Sequence, residues 1–448
     1  ERLAHTVLIR LDANGKTRGV KFARTVIRSK ARLTYRQVRR ILDGDFSEVE
    51  GGGLFGGCPE GSLPYTDEQV VAKVRDAWEL AKILRRNRFA AGSLDLDFPE
   101  VKVWLDAEGR PERLERIEND CSHQLIEEFM LLANEVVAVA LKRKEVPAVY
   151  RVHEVPDPER LKEFREKAMV YGYRVGDLTQ RREVQKLLAV IKGRSEEHLV
   201  KVDFLKSLKR ASYGVKSLGH YGLAKANYTH FTSPIRRYAD LLVHRALAGE
   251  PTGKMGELGE VVVHISDTER VSADAEKDSV QMKKVEYFDQ LLRTNGGGTF
   301  RAVVVEVRGH GLMIELSDVM MNGMVHVKDL PGDYYIYDGA KGCFRGRNTR
   351  KRYGMGDVLE VKVRRVDRHR RHVDFDLVRD EKNLGRGGNE DRSERTQRVE
   401  SAERFDRRER SGYSEGRAQV PRDKRFDRDQ GTERAPRPEG EGRSGRCL

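Results

Sequence analysis

The chain has 448 residues, and its 38% hydrophobic content is enough to form the cores of two or three domains. Its formal net charge of +13 favours a polyanionic partner such as nucleic acid, although a soluble basic protein without such a partner has a similar composition. No apolar run approaches the length of a membrane-spanning helix. The four scattered cysteines lack the spacing of a zinc site, so we expect no zinc and a cytoplasmic location: Cys58, Cys121, Cys343 and Cys447.

Strand and helix patterns alternate over residues 1–293, which predicts a mixed α+β unit. Thr34 has the character of a helix N-cap, and Val38 and Ile41 follow it on one helical face. The Gly-rich residues 51–57 lack the Lys-Ser/Thr ending of a P-loop, so we interpret them as a surface loop. Strands are predicted at residues 6–11, 19–26, 101–105 and 148–152, and helices after Thr34 and at 67–88, 122–142, 158–171, 180–192, 196–210 and 261–292.

Residues 297–380 form a separate pattern of short strands and turns. Five such strands are typical of an oligonucleotide-binding (OB) barrel, which makes this part an all-β unit. Phe300 and Phe375 lie in alternating strands and are expected in its core. The strands are predicted at residues 299–307, 312–316, 323–327, 356–363 and 371–377, with Tyr334–Tyr337 beyond a Pro-Gly-Asp turn.

Residues 381–448 consist mainly of Arg, Asp, Glu, Gly and Ser. Such a segment cannot bury enough apolar surface to offset the entropy of ordering, so we predict a disordered charged tail. Its arginines would bind RNA weakly, but the interleaved acidic residues favour a solvated tail.

The most informative stretch is residues 228–245, which read Tyr-Thr-His-Phe-Thr-Ser-Pro-Ile-Arg-Arg-Tyr-Ala-Asp-Leu-Leu-Val-His-Arg. Pro234 stands where the first turn of a helix is expected, and Arg236 and Arg237 follow it. A guanidinium combines charge with bidentate geometry and therefore suits a phosphate group. Taken alone, the same letters also fit a capped surface helix with solvated arginines.

This stretch resembles the arginine-bearing signature of the ribonuclease II/ribonuclease R family of 3′-to-5′ exoribonucleases. Residues 29–38 (Ser-Lys-Ala-Arg-Leu-Thr-Tyr-Arg-Gln-Val) and 119–134 (Asn-Asp-Cys-Ser-His-Gln-Leu-Ile-Glu-Glu-Phe-Met-Leu-Leu-Ala-Asn) resemble the same family, in the same order along the chain. The stretches Gly-Leu-Met-Ile-Glu-Leu and Gly-Met-Val-His-Val resemble an S1 RNA-binding domain. The resemblance implies the C-terminal part of a catalytic RNB domain at 1–293, an S1-like OB-fold at 297–380 and a tail at 381–448.

The resemblance also implies roles for individual residues. Arg236 would be the catalytic arginine beside the scissile phosphate, and Glu276 would lie near the RNA 3′ end unless it is simply an exposed helix carboxylate. Glu127 and Glu128 are candidates to face the RNA channel, with a structural role expected for at least one. The remaining expected RNA contacts are Arg237, Arg32 and Tyr35 in the catalytic part, His310 and Tyr334 as stacking groups, and Lys328 and Arg345 as backbone contacts.

One departure from the family is large. Its members bind Mg²⁺ through closely spaced aspartates early in the catalytic domain, and this sequence contains no such motif. Asp95 and Asp97 alternate along a strand-like run, which would place both carboxylates on one face, but they lie too far along the chain and we interpret them as structural. Because the chain starts at Glu1 within a strand-like pattern, we expect a C-terminal fragment that lacks the metal ligands and is inactive as given.

The expected function is therefore that of a ribonuclease R-like exoribonuclease that degrades RNA to nucleotides with Mg²⁺. Its expected partners are single-stranded or structured RNA and, as candidates, ribosome or RNA-decay assemblies. A second hypothesis is a non-catalytic RNA-binding protein with an RNB-like channel and an S1 domain. A third is a ribosome-associated S1-type adaptor in which residues 1–293 are a scaffold.

Overall fold

The computed structural model describes residues 1–46, 64–194, 196–339 and 341–378. The Gly-rich residues 51–57 and the tail at 381–448 lie outside the described residues. The chain opens on an antiparallel hairpin of β1 (Arg2–Leu11) and β2 (Thr17–Ile27), as the strands predicted at residues 6–11 and 19–26 require. Asp12 closes the turn by accepting hydrogen bonds from the backbone N–H groups of Asn14 and Lys16.

The helices begin at polar N-caps that are readable in the sequence. Thr34 caps α1 (Tyr35–Asp43) in a reciprocal capping box with Gln37, which confirms its assignment as an N-cap. Asp67 caps α2 (Glu68–Ala90), and Asp120 caps α3 (Cys121–Arg143). The remaining elements before the barrel are β3 (Glu100–Leu105), β4 (Pro111–Ile117), β5 (Tyr150–Val152), α4 (Pro158–Val170), α5 (Arg181–Ile191), α6 (Glu197–Ser207), β6 (Ser212–Gly214), α7 (Tyr238–Ala248) and α8 (Met255–Asn295).

Two short strands of the α+β part were not predicted from the sequence. β4 is rich in charged residues, and it forms because it pairs with β3 across the hairpin and because Trp104 donates a hydrogen bond of 2.6 Å to Glu115. β6 pairs with β5 from about sixty residues away along the chain, a partnership that no local pattern encodes.

Two cores support this α+β part. One lies among α4, α5 and α6 and includes the fully buried Phe164 and Phe204. The other packs α3 against β5, α7 and the start of α8, with Val137, Leu141 and Val243 at its centre. The second core lies directly behind the arginine stretch.

No helix in the described part of the chain combines the length and apolar character needed to cross a membrane.

The C-terminal part is a closed five-stranded barrel in the order β13-β14-β9-β8-β7, which confirms the predicted OB-type fold. Phe375 is 1% exposed and packs over Gly323, where any Cβ would clash with the Phe375 ring; Phe300 is partly buried beside the same core. The barrel strands are β7 (Thr299–Arg308), β8 (Gly311–Leu316), β9 (Asn322–His326), β13 (Val358–Asp367) and β14 (His372–Leu377).

A three-stranded antiparallel sheet is inserted between β9 and β13. It consists of β10 (Tyr335–Asp338), β11 (Cys343–Gly346) and β12 (Arg352–Gly354). β11 and β12 were not predicted from the sequence, because the arginines of this segment mask the strand pattern. Buried Phe344 and Tyr353 pair across β11 and β12 and join the barrel core, which is why the segment forms a sheet.

Candidate nucleic-acid interface

Arg236 lies in a turn immediately before α7. Its side chain is exposed, and within the described residues its guanidinium makes no hydrogen bond or ion pair. The expectation that Pro234 occupies the first helical turn is wrong, because α7 begins only at Tyr238 and Arg237 is its N-cap. The backbone N–H groups of Arg236 and Arg237 donate to the carbonyl of Ser233 at 3.3 and 3.1 Å and close the turn.

The guanidinium of Arg237, which is an expected RNA contact, is held in an ion pair within the fold. Its Nη2 donates to Asp240 Oδ1 at 2.8 Å, and its Nε lies 2.8 Å from Oδ2. The Asp240 side chain is fully buried and also accepts the backbone N–H of Ser233 at 2.7 Å. This ion pair neutralises the charge of Arg237 inside the fold and fixes the turn that carries Arg236.

A layer of hydrogen bonds holds the segment before the turn. Phe231 donates its backbone N–H to buried Asn134 at 3.0 Å, and His244 Nε2 donates to the Phe231 carbonyl at 2.8 Å. Thr229 donates its hydroxyl to the carbonyl of Val149 at 2.6 Å. His230 Nδ1 is hydrogen-bonded to the Tyr213 hydroxyl at 2.8 Å. These contacts come from α3, β6, α7 and the segment before β5, so the position of Arg236 depends on tertiary packing.

His230 in this layer, and His220 close to it against Tyr228, are uncharged at neutral pH. Burial, helped by the nearby charges of Arg237 and Arg151, lowers the pKa of His230 to about 2. Burial beside His153 lowers the pKa of His220 to about 3. His220 and His230 therefore add no positive charge beside Arg236 and Arg237.

A carboxylate–guanidinium cluster lies between α2 and α3. Arg88 Nη2 donates to Glu128 Oε1 at 2.6 Å, and both side chains are almost fully buried. Glu127 Oε1 lies 3.3 Å from the same Nη2, and burial raises the pKa of Glu127. Glu128 therefore has the structural role expected for at least one of this pair, and its partner Arg88 was not singled out from the sequence.

Asp95 and Asp97 belong to the same cluster. They lie in a loop and not in the expected strand, yet both carboxylates point to Arg85 Nη2, at 4.0 and 3.6 Å. The described residues contain no group of three or more His, Cys, Asp or Glu side chains able to hold a metal ion. The residues present therefore do not fit a Mg²⁺ site, because the clustered carboxylates already face guanidinium groups.

Arg32 and Tyr35 lie at the start of α1. Arg32 is exposed in the preceding loop, and Tyr35 is 49% exposed. The Tyr35 ring stacks on His123 with centroids 3.9 Å apart, and His123 Nδ1 is hydrogen-bonded to Asp120 at 2.8 Å. This aromatic pair joins the two family-like stretches, 29–38 and 119–134. His123 was missed as a candidate, although its place in the first turn after the Asp120 N-cap is a signal that could have found it.

Glu276 is exposed near the middle of α8. Within the described residues it makes no hydrogen bond or ion pair and does not contact Arg236. The neighbouring Asp278 forms an ion pair of 3.1 Å with Arg371, in the turn between β13 and β14. The barrel thus contacts this part of α8 through Asp278.

The four barrel candidates form two exposed groups. His310 lies in the β7–β8 turn, and its carbonyl accepts the N–H of Val327, the residue before Lys328. Tyr334 is 71% exposed, and Arg345 is exposed on β11. Among the neighbouring aromatic residues, Tyr335 is buried, Tyr337 is 42% exposed beside Gly309, and His326 is partly buried, 3.9 Å from Asp374.

Comparison with known protein families gives two matches. An RNB domain model matches residues 1–250, and an S1 RNA binding domain model matches residues 294–377. Ribonuclease R of Aquifex aeolicus is 34% identical over 388 residues, covering 84% of this chain and 52% of that protein. Ribonuclease R of Escherichia coli is 31% identical over 412 residues, covering 87% of this chain and 48% of that protein. The chain spans about half the length of the curated relatives it matches.

Solved structures give a similar result. The apo form of Mycoplasma genitalium RNase R matches with a TM-score of 0.70 and 25% identity, covering 84% of this chain and 58% of that one. The same enzyme in complex with ribose-methylated single-stranded RNA matches with a TM-score of 0.71, 26% identity and the same coverage. Both matches span the α+β part and the barrel together.

Proposed function

Because the chain belongs to the ribonuclease II/ribonuclease R family, we propose that it carries the arginine side of a 3′-to-5′ exoribonuclease site and an S1 domain that holds the RNA. The observation that carries this proposal is the exposed, unpaired guanidinium of Arg236 on a turn fixed by buried groups. Attack on a phosphodiester builds negative charge on the phosphate oxygens, and a pre-positioned guanidinium stabilises that charge without having to reorganise.

In this proposal the residues around the turn have distinct tasks. Arg236 contacts the scissile phosphate, whereas Arg237 and Asp240 hold the turn and do not contact RNA. Arg32, Tyr35 and Glu276 lie on exposed surfaces and are proposed RNA contacts, with Glu276 near the RNA 3′ end. His310, Lys328, Tyr334 and Arg345 are proposed contacts on the barrel and its inserted sheet.

Hydrolysis also needs an attacking water molecule and, in this family generally, a divalent metal. We propose Mg²⁺ on the strength of the family resemblance alone. Its carboxylate ligands would have to come from residues other than those described, since Asp95, Asp97, Glu127 and Glu128 face Arg85 and Arg88. We therefore propose that this chain by itself binds RNA in the cytoplasm without cleaving it, and that RNA is its main partner.

The test of Arg236 uses the complete natural enzyme that contains these residues. Arg236→Ala is expected to lower the single-turnover cleavage rate by about a hundredfold to a thousandfold while leaving RNA affinity nearly unchanged. Arg236→Lys is expected to be almost as slow, because an ammonium lacks the planar fork. Arg245→Ala is the matched control, since Arg245 is an exposed arginine on the adjoining α7. Near-normal cleavage combined with weak RNA binding would make Arg236 an anchor and not a catalytic group.

A second candidate function is that of a non-catalytic RNA-binding protein. It is favoured by the pairing of the clustered carboxylates with Arg85 and Arg88, which leaves them unsuited to metal. The two functions separate when this chain and the complete protein are each incubated with labelled RNA and Mg²⁺. Mononucleotide release by the chain alone would refute its proposed inactivity, and no release by the complete protein would favour the binding function.

A further inference from the structure

The turn between β11 and β12 concentrates positive charge. We call residues 345–352 the basic turn. Its five basic side chains are all exposed, and within the described residues none of them forms an ion pair with a carboxylate. The five are Arg345, Arg347, Arg350, Lys351 and Arg352. Unpaired cations at this density leave a local field that attracts a polyanion.

A single carboxylate shapes the basic turn from within. Asp333 Oδ2 accepts the backbone N–H groups of Asn348 and Thr349 at 2.8 and 2.6 Å, and the Thr349 hydroxyl at 2.8 Å. Asp333 Oδ1 accepts the Asn348 side-chain amide at 3.0 Å and the N–H of Tyr334 at 2.7 Å. All these donors are neutral, so the carboxylate orders the backbone without pairing with the surrounding cations.

The Asp333 carboxylate stays ionised and keeps these hydrogen bonds at physiological pH. Its hydrogen bonds, led by the Thr349 N–H, lower the pKa of Asp333 to about 2. Space inside the turn is also limited, because a Cβ on Gly346 would lie 2.6 Å from Asp333 Oδ2 and 2.7 Å from Thr349 Oγ1. Arg350 adopts a left-handed backbone with φ of 57°, which is unfavourable for a residue with a Cβ and is held by the surrounding bonds.

The face of the inserted sheet next to the basic turn also carries exposed apolar and aromatic side chains. Ile336, Arg345 and Arg352 are direct neighbours across the three strands, so they project from one face of the inserted sheet, and Ile336 is 53% exposed. Tyr334 is 71% exposed, and its carbonyl accepts the N–H of Arg347 at 2.9 Å. Phosphate-binding groups beside an exposed ring and an apolar side chain suit the alternating phosphates and bases of a nucleic acid strand.

We propose that the basic turn is a preformed binding site for the phosphate backbone of RNA, distinct from the His310–Lys328 group on the barrel. This proposal rests on the RNA-binding part of the proposed function. It adds the place where the phosphates bind and the role of Asp333, which holds the basic side chains in position before RNA binds. Pre-organisation raises affinity because less conformational entropy is lost on binding.

Asp333→Asn distinguishes this site from a merely basic surface. The substitution removes a negative charge, so if only net charge mattered, RNA affinity would rise or stay the same. A pre-organised turn predicts the opposite: the new amide N–H groups oppose the N–H donors of Asn348 and Thr349, and affinity is expected to fall about threefold to tenfold. Thr349→Val removes one of the hydrogen bonds to Asp333 without changing charge and is expected to weaken binding by a smaller factor.

The measurement is the fluorescence anisotropy of a labelled 20-nucleotide oligouridylate titrated with the full chain at several salt concentrations. Combined alanine replacement of Arg347, Arg350 and Lys351 is expected to reduce the slope of log affinity against log salt by about 2, since each neutralised phosphate of a single strand contributes about 0.7. The matched control replaces three exposed basic residues of α4, Arg160, Lys162 and Arg165, and is expected to change the slope much less.

Each outcome decides the proposal. Unchanged or tighter binding by Asp333→Asn with an unchanged melting temperature overturns it, as does a triple variant that behaves like the α4 control. If Asp333→Asn unfolds, Thr349→Val and the triple variant carry the decision. If anionic phosphatidylserine vesicles displace the labelled oligouridylate as effectively as unlabelled RNA does, the turn is a membrane-binding site and the RNA assignment is refuted. If the unaltered chain binds no RNA, the proposed function itself fails.

Discussion

Acidification is expected to destabilise the fold through His220 and His230. Their folded-state pKa values are about 3 and about 2, against an ordinary value of 6.5. Below pH 6.5 both histidines are protonated in the unfolded chain but stay neutral in the folded chain. The free energy of unfolding is therefore highest above pH 6.5 and decreases as the pH falls towards the folded-state pKa values. At pH 5 the loss amounts to about 2 kcal/mol for each histidine. The lowered pKa of His153 adds in the same direction.

The assay is urea unfolding of the chain at pH 7.5 and pH 5, followed by circular dichroism. His230→Asn keeps a polar group near the Tyr213 hydroxyl and cannot titrate, so the loss between the two pH values should shrink by about 2 kcal/mol, whatever the stability at pH 7.5. His220→Asn should behave alike, since its amide oxygen can replace the ring nitrogen that faces the Leu223 N–H. The reasoning would be refuted if the unaltered chain had the same free energy of unfolding at both pH values. It would also be refuted if both variants lost as much stability between pH 7.5 and pH 5 as the unaltered chain does.

Three further predictions concern packing and binding. Glu128→Gln removes the charge opposite buried Arg88 and is expected to cost about 3 kcal/mol in chemical unfolding, whereas a loss below about 0.5 kcal/mol would mean that the pair is solvated. Lys284 donates hydrogen bonds to the carbonyls of Val319 and Met320. Lys284→Met is therefore expected to lower the free energy of unfolding by about 1–3 kcal/mol and to leave RNA affinity unchanged. A loss of RNA affinity at unchanged stability would contradict this structural role. RNA affinity should fall steeply with salt and vary little among oligonucleotide sequences in the same anisotropy assay, and a flat salt response would argue against phosphate contacts.

The α+β class and the five-stranded barrel were predicted from the sequence and are confirmed, and so is the family resemblance. The domain limits and the roles of the site residues stay predictions. The helix that starts after Thr34 was predictable because an N-cap and the apolar face that follows it are patterns of nearby residues. The barrel strands were predictable because each is a short apolar run bounded by turn residues.

The tertiary structure alone decided which polar groups are free. The sequence presents Arg236 and Arg237 as equals, but buried Asp240 pairs only with Arg237. Likewise, Arg88 and Glu128 are forty positions apart and become a buried pair only when α2 packs on α3. Local patterns report the hydrogen bonds and apolar faces of nearby residues, whereas charge pairing depends on which distant segments meet. For that reason the sequence by itself determined the family and most of the helices and strands, and only the packed structure separated an exposed arginine from a structural one.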